Sequence, residues 1–115
     1  MTRILAALLA LCGTHALAIE KLTTQSYVVT IAQRCPEGNV TCDNVTYTGV
    51  HRKTGKSITL KGSTVHSTCA DRVTPCRFLG YVFRNGNVKY AVWEGGQLVV
   101  SQGDRVLLQE SGTWE

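Results

Sequence analysis

Beyond residue 18, no window of the chain repeats apolar residues at helical spacing over three turns, so no long helix is expected. Long apolar runs are lacking as well. The one from Ile4 to Gly13, ILAALLALCG, falls short of the roughly 20 residues that a membrane-spanning helix needs. Past residue 18 the only histidines are His51 and His66, and Asp43, Asp71, Glu94, Asp104 and Glu110 stand alone rather than in pairs. No GxSxG elbow and no HExxH is present, which removes the common serine-hydrolase and zinc-protease arrangements. What remains for catalysis is His66 as a base with Asp71 or Asp43 as its orienter, and nothing in the sequence brings these together. The expectation is a binding protein rather than an enzyme, with no catalytic residue, no cofactor and no metal; a small periplasmic enzyme using His66 as base is the alternative.

One stretch imitates a phosphate-binding loop. GVHRKTGKSITLKG, from Gly49 to Gly62, contains TGKS, but GxxxxGK[ST] requires a glycine at position 50, where Val50 stands. Such a loop must also open a helix whose N-terminal amides hold the phosphate, and SITLKG is short, β-branched and ends in glycine. The segment reads as a β-turn with Gly55 at a position needing positive φ.

The N-terminus carries a basic residue, an apolar run and Ala16-Leu17-Ala18, a small-x-small cleavage signal. The expected organisation is therefore a signal peptide over residues 1–18 and a single β domain over 19–115, periplasmic or secreted, with no transmembrane segment in the mature chain. Acylation at Cys12 is the competing reading, and Leu11 sits where it would require a small residue. Removing Arg3 leaves 11 Lys and Arg against 8 Asp and Glu, a formal charge of +3. The densest cluster is Arg52, Lys53, Lys56 and Lys61. This is too weak a basic stripe for nucleic-acid binding.

Four cysteines follow the leader, in two segments of equal spacing, CPEGNVTC and CADRVTPC. An even number in an exported chain implies disulfides. Pairing Cys35 with Cys42 and Cys69 with Cys76 is favoured because each pair brackets turn-forming residues; crosswise pairing stays open. Zinc is disfavoured because structural sites present ligand pairs two to four residues apart, not six.

Alternation and tight turns define the remainder. Tyr27 to Arg34 reads as a first strand, and Val45 to Arg52 with Lys56 to Gly62 as a hairpin around Lys53-Thr54-Gly55, pairing Val50 with Ile58 and Thr48 with Leu60. Residues 63–77 read as irregular. FLGYVFR, NVKYAVWE, QLVVSQ and RVLLQE follow, separated by Asn-Gly, Gly-Gly and Gly-Asp turns. Two-residue loops would set Arg84 opposite Asn87, Glu94 opposite Gln97 and Gln102 opposite Arg105. Leu79, Tyr81, Phe83, Val88, Tyr90, Val92, Val99, Val106 and Leu108 then share a core face. Phe78, Val82, Ala91, Trp93, Leu98, Val100 and Leu107 share the other. The fold class expected is all-β, an antiparallel meander of about seven strands forming a small barrel or sandwich with two disulfides.

The cysteine segments, VTCDNVTYTGVHRKTGKSITLKG and CRFLGYVFRNGNVKYAVWEGGQLVVSQG together resemble small uncharacterised exported proteins of Gram-negative bacteria, over most of the mature chain. In size and plan the chain also resembles periplasmic lysozyme inhibitors, although that family's serine-glycine and Thr-Lys-Gly loops are not found. The functional expectation is an exported binding protein: an inhibitor, immunity factor or envelope-associated factor. It would grip a protein or an anionic envelope component through Phe78 and Trp93 on the sheet or through Arg52, Lys53 and Lys56 at the hairpin tip. Trp, Tyr and Arg are the types that dominate such contacts.

Overall fold

A computed structural model describes residues 18–115. Eight antiparallel strands follow one another around a closed barrel: β1 Ala18–Thr24, β2 Tyr27–Gln33, β3 Val45–His51, β4 Ser57–Thr68, β5 Pro75–Asn85, β6 Val88–Trp93, β7 Gln97–Gln102 and β8 Arg105–Trp114. Each strand pairs with its sequence neighbour, and β8 returns to β1 through Leu22 opposite Trp114 and Thr24 opposite Gly112. Closure removes the sheet edges that would otherwise invite other chains to pair. The meander expected from sequence is thus present, curled on itself. Among the described residues no helix is long and apolar enough to cross a membrane.

Period-2 alternation decides what fills the interior. Leu22, Val29, Ile31, Val45, Tyr47, Leu60, Tyr81, Phe83, Val92, Leu98 and Val100 point inward and are buried. An aromatic file runs through this core. Ring centroids lie 5.5 Å apart from Tyr90 to Tyr47, 5.2 Å from Tyr47 to Phe83, 6.3 Å from Phe83 to Tyr81, 5.1 Å from Tyr81 to Phe78 and 5.7 Å from Phe78 to His66. Gly62 makes room for it, since a Cβ there would strike the Val82 carbonyl and the Phe83 ring.

The barrel has two unlike ends. One, the cystine end, holds the two long loops, each closed by the expected disulfide, Cys35–Cys42 and Cys69–Cys76, with Cα separations of 5.7 and 5.2 Å. The other, the turn end, gathers the tight connections after β1, β3, β5 and β7. Six Lys and Arg and two carboxylates, Asp104 and Glu110, belong to the turn end. The cystine end holds five basic and six acidic residues, so the positive charge is concentrated at the turns.

Several expectations are corrected. Ala18–Thr24 forms a strand ahead of Tyr27, recognisable only by Leu22 and Thr24 facing inward. The proposed leader otherwise lies outside the described residues, as does Cys12. Residues 63–77 are largely regular: β4 and β5 run on as a bulged two-stranded ribbon. There, half-burial of both faces erases the alternation. The β3–β4 hairpin turns through four residues, Arg52 to Gly55, with Gly55 at φ +75° as expected. The added residue pairs Tyr47 with Leu60 and Gly49 with Ile58, in place of Val50 with Ile58.

In the C-terminal third, Gln102 opposite Arg105 holds. The Asn-Gly turn instead pairs Arg84 with Lys89 and Asn85 with Val88, leaving Gly86-Asn87 at the corner. A shift of two preserves the faces. The Gly-Gly turn takes three residues, pairing Val92 with Leu98, so Leu98 and Val100 enter the core instead of Val99. A bulge between Val100 and Ser101 then resets β8, bringing Leu108 inward and leaving Val106 and Leu107 exposed at the turn end.

Candidate functional site

Among the residues expected to bind a partner, the structure keeps the basic tip together and separates the aromatic pair. Lys53 and Lys56 are exposed on the β3–β4 turn. Arg52 is occupied: its guanidinium donates to the Thr24 carbonyl at 2.8 Å and the Gln25 carbonyl at 3.3 Å, clamping the β1–β2 turn. Phe78 leaves the outer face through the register shift between Val65 and His66, and packs on Tyr81 and His66. Trp93 lies over Gly80 on the outside; a Cβ at Gly80 would come within 2.9 Å of its Cε3.

Among the described residues His66 hydrogen-bonds no acid. Its Nε2 lies 3.0 Å from the Thr64 hydroxyl, while Nδ1 is buried without a hydrogen bond. Asp71 is committed elsewhere, accepting from the Thr74 hydroxyl and from the amides of Val73 and Thr74, each amide at 2.9 Å. Those bonds, the Thr74 hydroxyl's first, lower its carboxyl to about 2. The geometry therefore does not assemble the base and orienter considered from sequence.

A concave site exists at the turn end, where the sequence pointed only to the basic tip of Arg52, Lys53 and Lys56. Two adjoining cavities, of about 390 and 260 Å³, share Tyr27, Ile58 and Tyr90 in their walls. The outer one reaches His51, Thr54 and Lys56; the inner one is lined by Tyr47, Leu98, Val100 and Leu108. Mouths of barrels are a recurrent place for small-ligand sites, and eight strands leave room for one small ligand or for filling side chains. Gly49 helps open this mouth. Its inward position is side-chain-free, and a Cβ there would come within 2.7 Å of the Tyr47 hydroxyl, so the ring lies over that gap.

Polar groups converge on the mouth. His51 Nδ1 accepts from the amides of Lys53 and Thr54, at 3.2 and 3.3 Å, which leaves Nε2 as the proton-bearing nitrogen of the neutral ring. The His51 ring meets Tyr27 edge-on, 5.1 Å between centroids. Tyr47 is only 1% exposed, yet its hydroxyl bonds no protein group among the described residues. Burial, followed by the neighbouring Tyr90 and Tyr27, raises its pKa. On the same side, the Glu110 carboxylate accepts from the Ser26 hydroxyl and amide at 2.6 and 3.0 Å and from the Thr24 hydroxyl at 2.8 Å. Desolvation opposes ionisation of Glu110, but these bonds prevail and lower its pKa.

Sequence reasoning missed the mouth because Tyr27, Tyr47, Ile58 and Tyr90 come from four strands whose register fixes their meeting. Alternation marked Tyr90 as inward, but no local signal separates a tyrosine that fills a core from one that lines a cavity. Comparison of the chain with known protein families, curated proteins and solved structures found no match.

Proposed function

We propose that the protein is a small exported binding protein that takes an anionic partner at the turn end of the barrel. Two disulfides fit an oxidising compartment outside the cytosol. The observation that carries the binding role is the concave, mostly apolar mouth bordered by Lys56, with Lys53 exposed on the same turn. Exposed Val106 and Leu107, on the neighbouring β8, add apolar surface at the same end. A partner with negative charge and apolar body is drawn by the basic end and held by the mouth, since steering follows charge and retention follows desolvated contacts. Such a site suits an inhibitor, immunity or envelope-associated role, with a protein or an envelope component as the anion.

The test uses the fluorescent aromatic anion 8-anilinonaphthalene-1-sulfonate. It should bind the native protein with one-to-one stoichiometry, and Lys53→Glu with Lys56→Glu should weaken it at least about tenfold at low salt, where surface charge is least screened. Arg72→Glu with Arg77→Glu, at the cystine end, should leave binding within about twofold. Equal losses from both pairs, or no saturable binding, would reject the turn-end site.

A further inference from the structure

The mouth combines three features that narrow its ligand. Its walls are aromatic: Tyr27, Tyr90 and His51 present rings around the opening. Its rim carries the exposed Lys56 ammonium and His51, whose Nε2 proton bonds no group among the described residues. Its floor holds Tyr47, whose side chain is buried and whose hydroxyl makes no hydrogen bond among the described residues.

An unsatisfied buried hydroxyl costs more than the net value of a made hydrogen bond. An alkyl chain filling the inner cavity would leave the Tyr47 hydroxyl in that state. A ligand bearing an oxygen at its inner end would satisfy it. The Tyr47 ring extends to the level of Gly49, one inward position below His51. Two residues along a strand span about 7 Å, roughly the height of a single substituted ring, so a one-ring compound bridges the hydroxyl and the cationic rim. The inner cavity of about 260 Å³ is of the matching scale.

Resting on the turn-end site above, we infer that its ligand is a single-ring aromatic carboxylate with an oxygen para to the carboxyl group. The ring lies between Tyr27 and Tyr90, where offset or edge-to-face packing adds to the burial of apolar area. The carboxylate meets Lys56 and the Nε2 proton of His51 at the rim. The para oxygen accepts from the Tyr47 hydroxyl at the floor. Stacking and burial alone would not distinguish this compound from benzoate; the Tyr47 contact does.

The experiment measures displacement of 8-anilinonaphthalene-1-sulfonate by 4-hydroxybenzoate, benzoate, 4-hydroxybenzamide and decanoate. The full-length native protein should prefer 4-hydroxybenzoate over benzoate and over 4-hydroxybenzamide by about 5- to 10-fold each, the usual range for one hydrogen bond or one charge contact. Tyr47→Phe should collapse the first ratio to below about twofold while keeping the second. Lys56→Gln should do the reverse. Unchanged thermal midpoints in both variants ensure that folding is not being read. A ring-oxygen preference that survives Tyr47→Phe, or decanoate and benzoate displacing the dye as well as 4-hydroxybenzoate, would overturn the inference while leaving the turn-end site standing. Failure of the dye itself to bind would remove the site and the inference together.

Discussion

Tyr47 and Tyr81 face into the same barrel and are each 1% exposed, but they are treated in opposite ways. Tyr81, toward the cystine end, donates to Glu20 Oε1 at 3.1 Å and accepts from Gln33 Nε2 at 2.9 Å. Tyr47, toward the turn end, has neither kind of partner among the described residues and borders a cavity. Burial raises the pKa of both, with Glu20 adding to the effect at Tyr81 and Tyr90 and Tyr27 at Tyr47. The hydroxyls show what each end is for. At the cystine end, side chains, a buried cystine and the long loop between β2 and β3 satisfy one another. At the turn end, tight loops leave the barrel uncovered and polar groups aimed at whatever enters.

The contrast is sharpened by removing the staples. Both disulfides close rings of the same sequence separation, so the loop-entropy contribution is equal, about 2.5 kcal/mol. Cys42 is part of the buried core cluster, whereas Cys76 is exposed. Replacing Cys35 and Cys42 by Ser should therefore cost about 1 kcal/mol more than replacing Cys69 and Cys76, because a hydroxyl enters apolar surroundings. Denaturant unfolding measures the difference, and equal losses would show that the cystine-end core is not what distinguishes the two.

A smaller effect separates the tyrosines themselves. Tyr81→Phe should destabilise by about 1 kcal/mol, having left Gln33 and Glu20 without their partner. Tyr47→Phe should stay within about 0.5 kcal/mol, since nothing in the fold depends on its hydroxyl. A comparable loss from both would contradict the division between a satisfied end and an open one.

The smallest effects are in titration. Asp71, at the exposed tip beyond the cystine end, should titrate near about 2 by carboxyl NMR, against an ordinary value of 3.8. Its folded-state pKa is lowered, so its contribution is fully present above the ordinary aspartate range and is lost as pH falls toward 2. Glu110 follows the same sign at the turn end, and Glu110→Gln should flatten part of the acid limb of stability. A Glu110 midpoint at or above the usual glutamate range would show that Ser26 and Thr24 do not hold it.

Much of the fold was legible because disulfide-bracketed turns and glycine corners carry local chemistry. Cys35 with Cys42, Cys69 with Cys76, Gly55 at positive φ and the inward run Tyr81, Phe83, Val88, Tyr90 and Val92 all follow from short-range pattern. What escaped was the count of residues in each turn. One residue more at Glu94-Gly95-Gly96 moved β7 to the opposite face, and a bulge after Val100 moved β8 back. Glycine announces a corner but leaves its length to the packing on both sides. The site was legible only at Lys53 and Lys56, whose exposure at a turn is a local property. The tyrosines that define the mouth depend on registers across several strand pairs, and Phe78 was drawn inward by a bulge with no sequence mark of its own.

The sequence contains four tyrosines, three in the mouth and one at the satisfied end, which allows a direct test. With ring-labelled tyrosine, NMR titration of 8-anilinonaphthalene-1-sulfonate should move the resonances of Tyr27, Tyr47 and Tyr90 in a common saturable curve and leave Tyr81 in place. Movement led by Tyr81, or saturation of the dye with all three mouth tyrosines unmoved, would contradict the assignment of the turn end as the binding end.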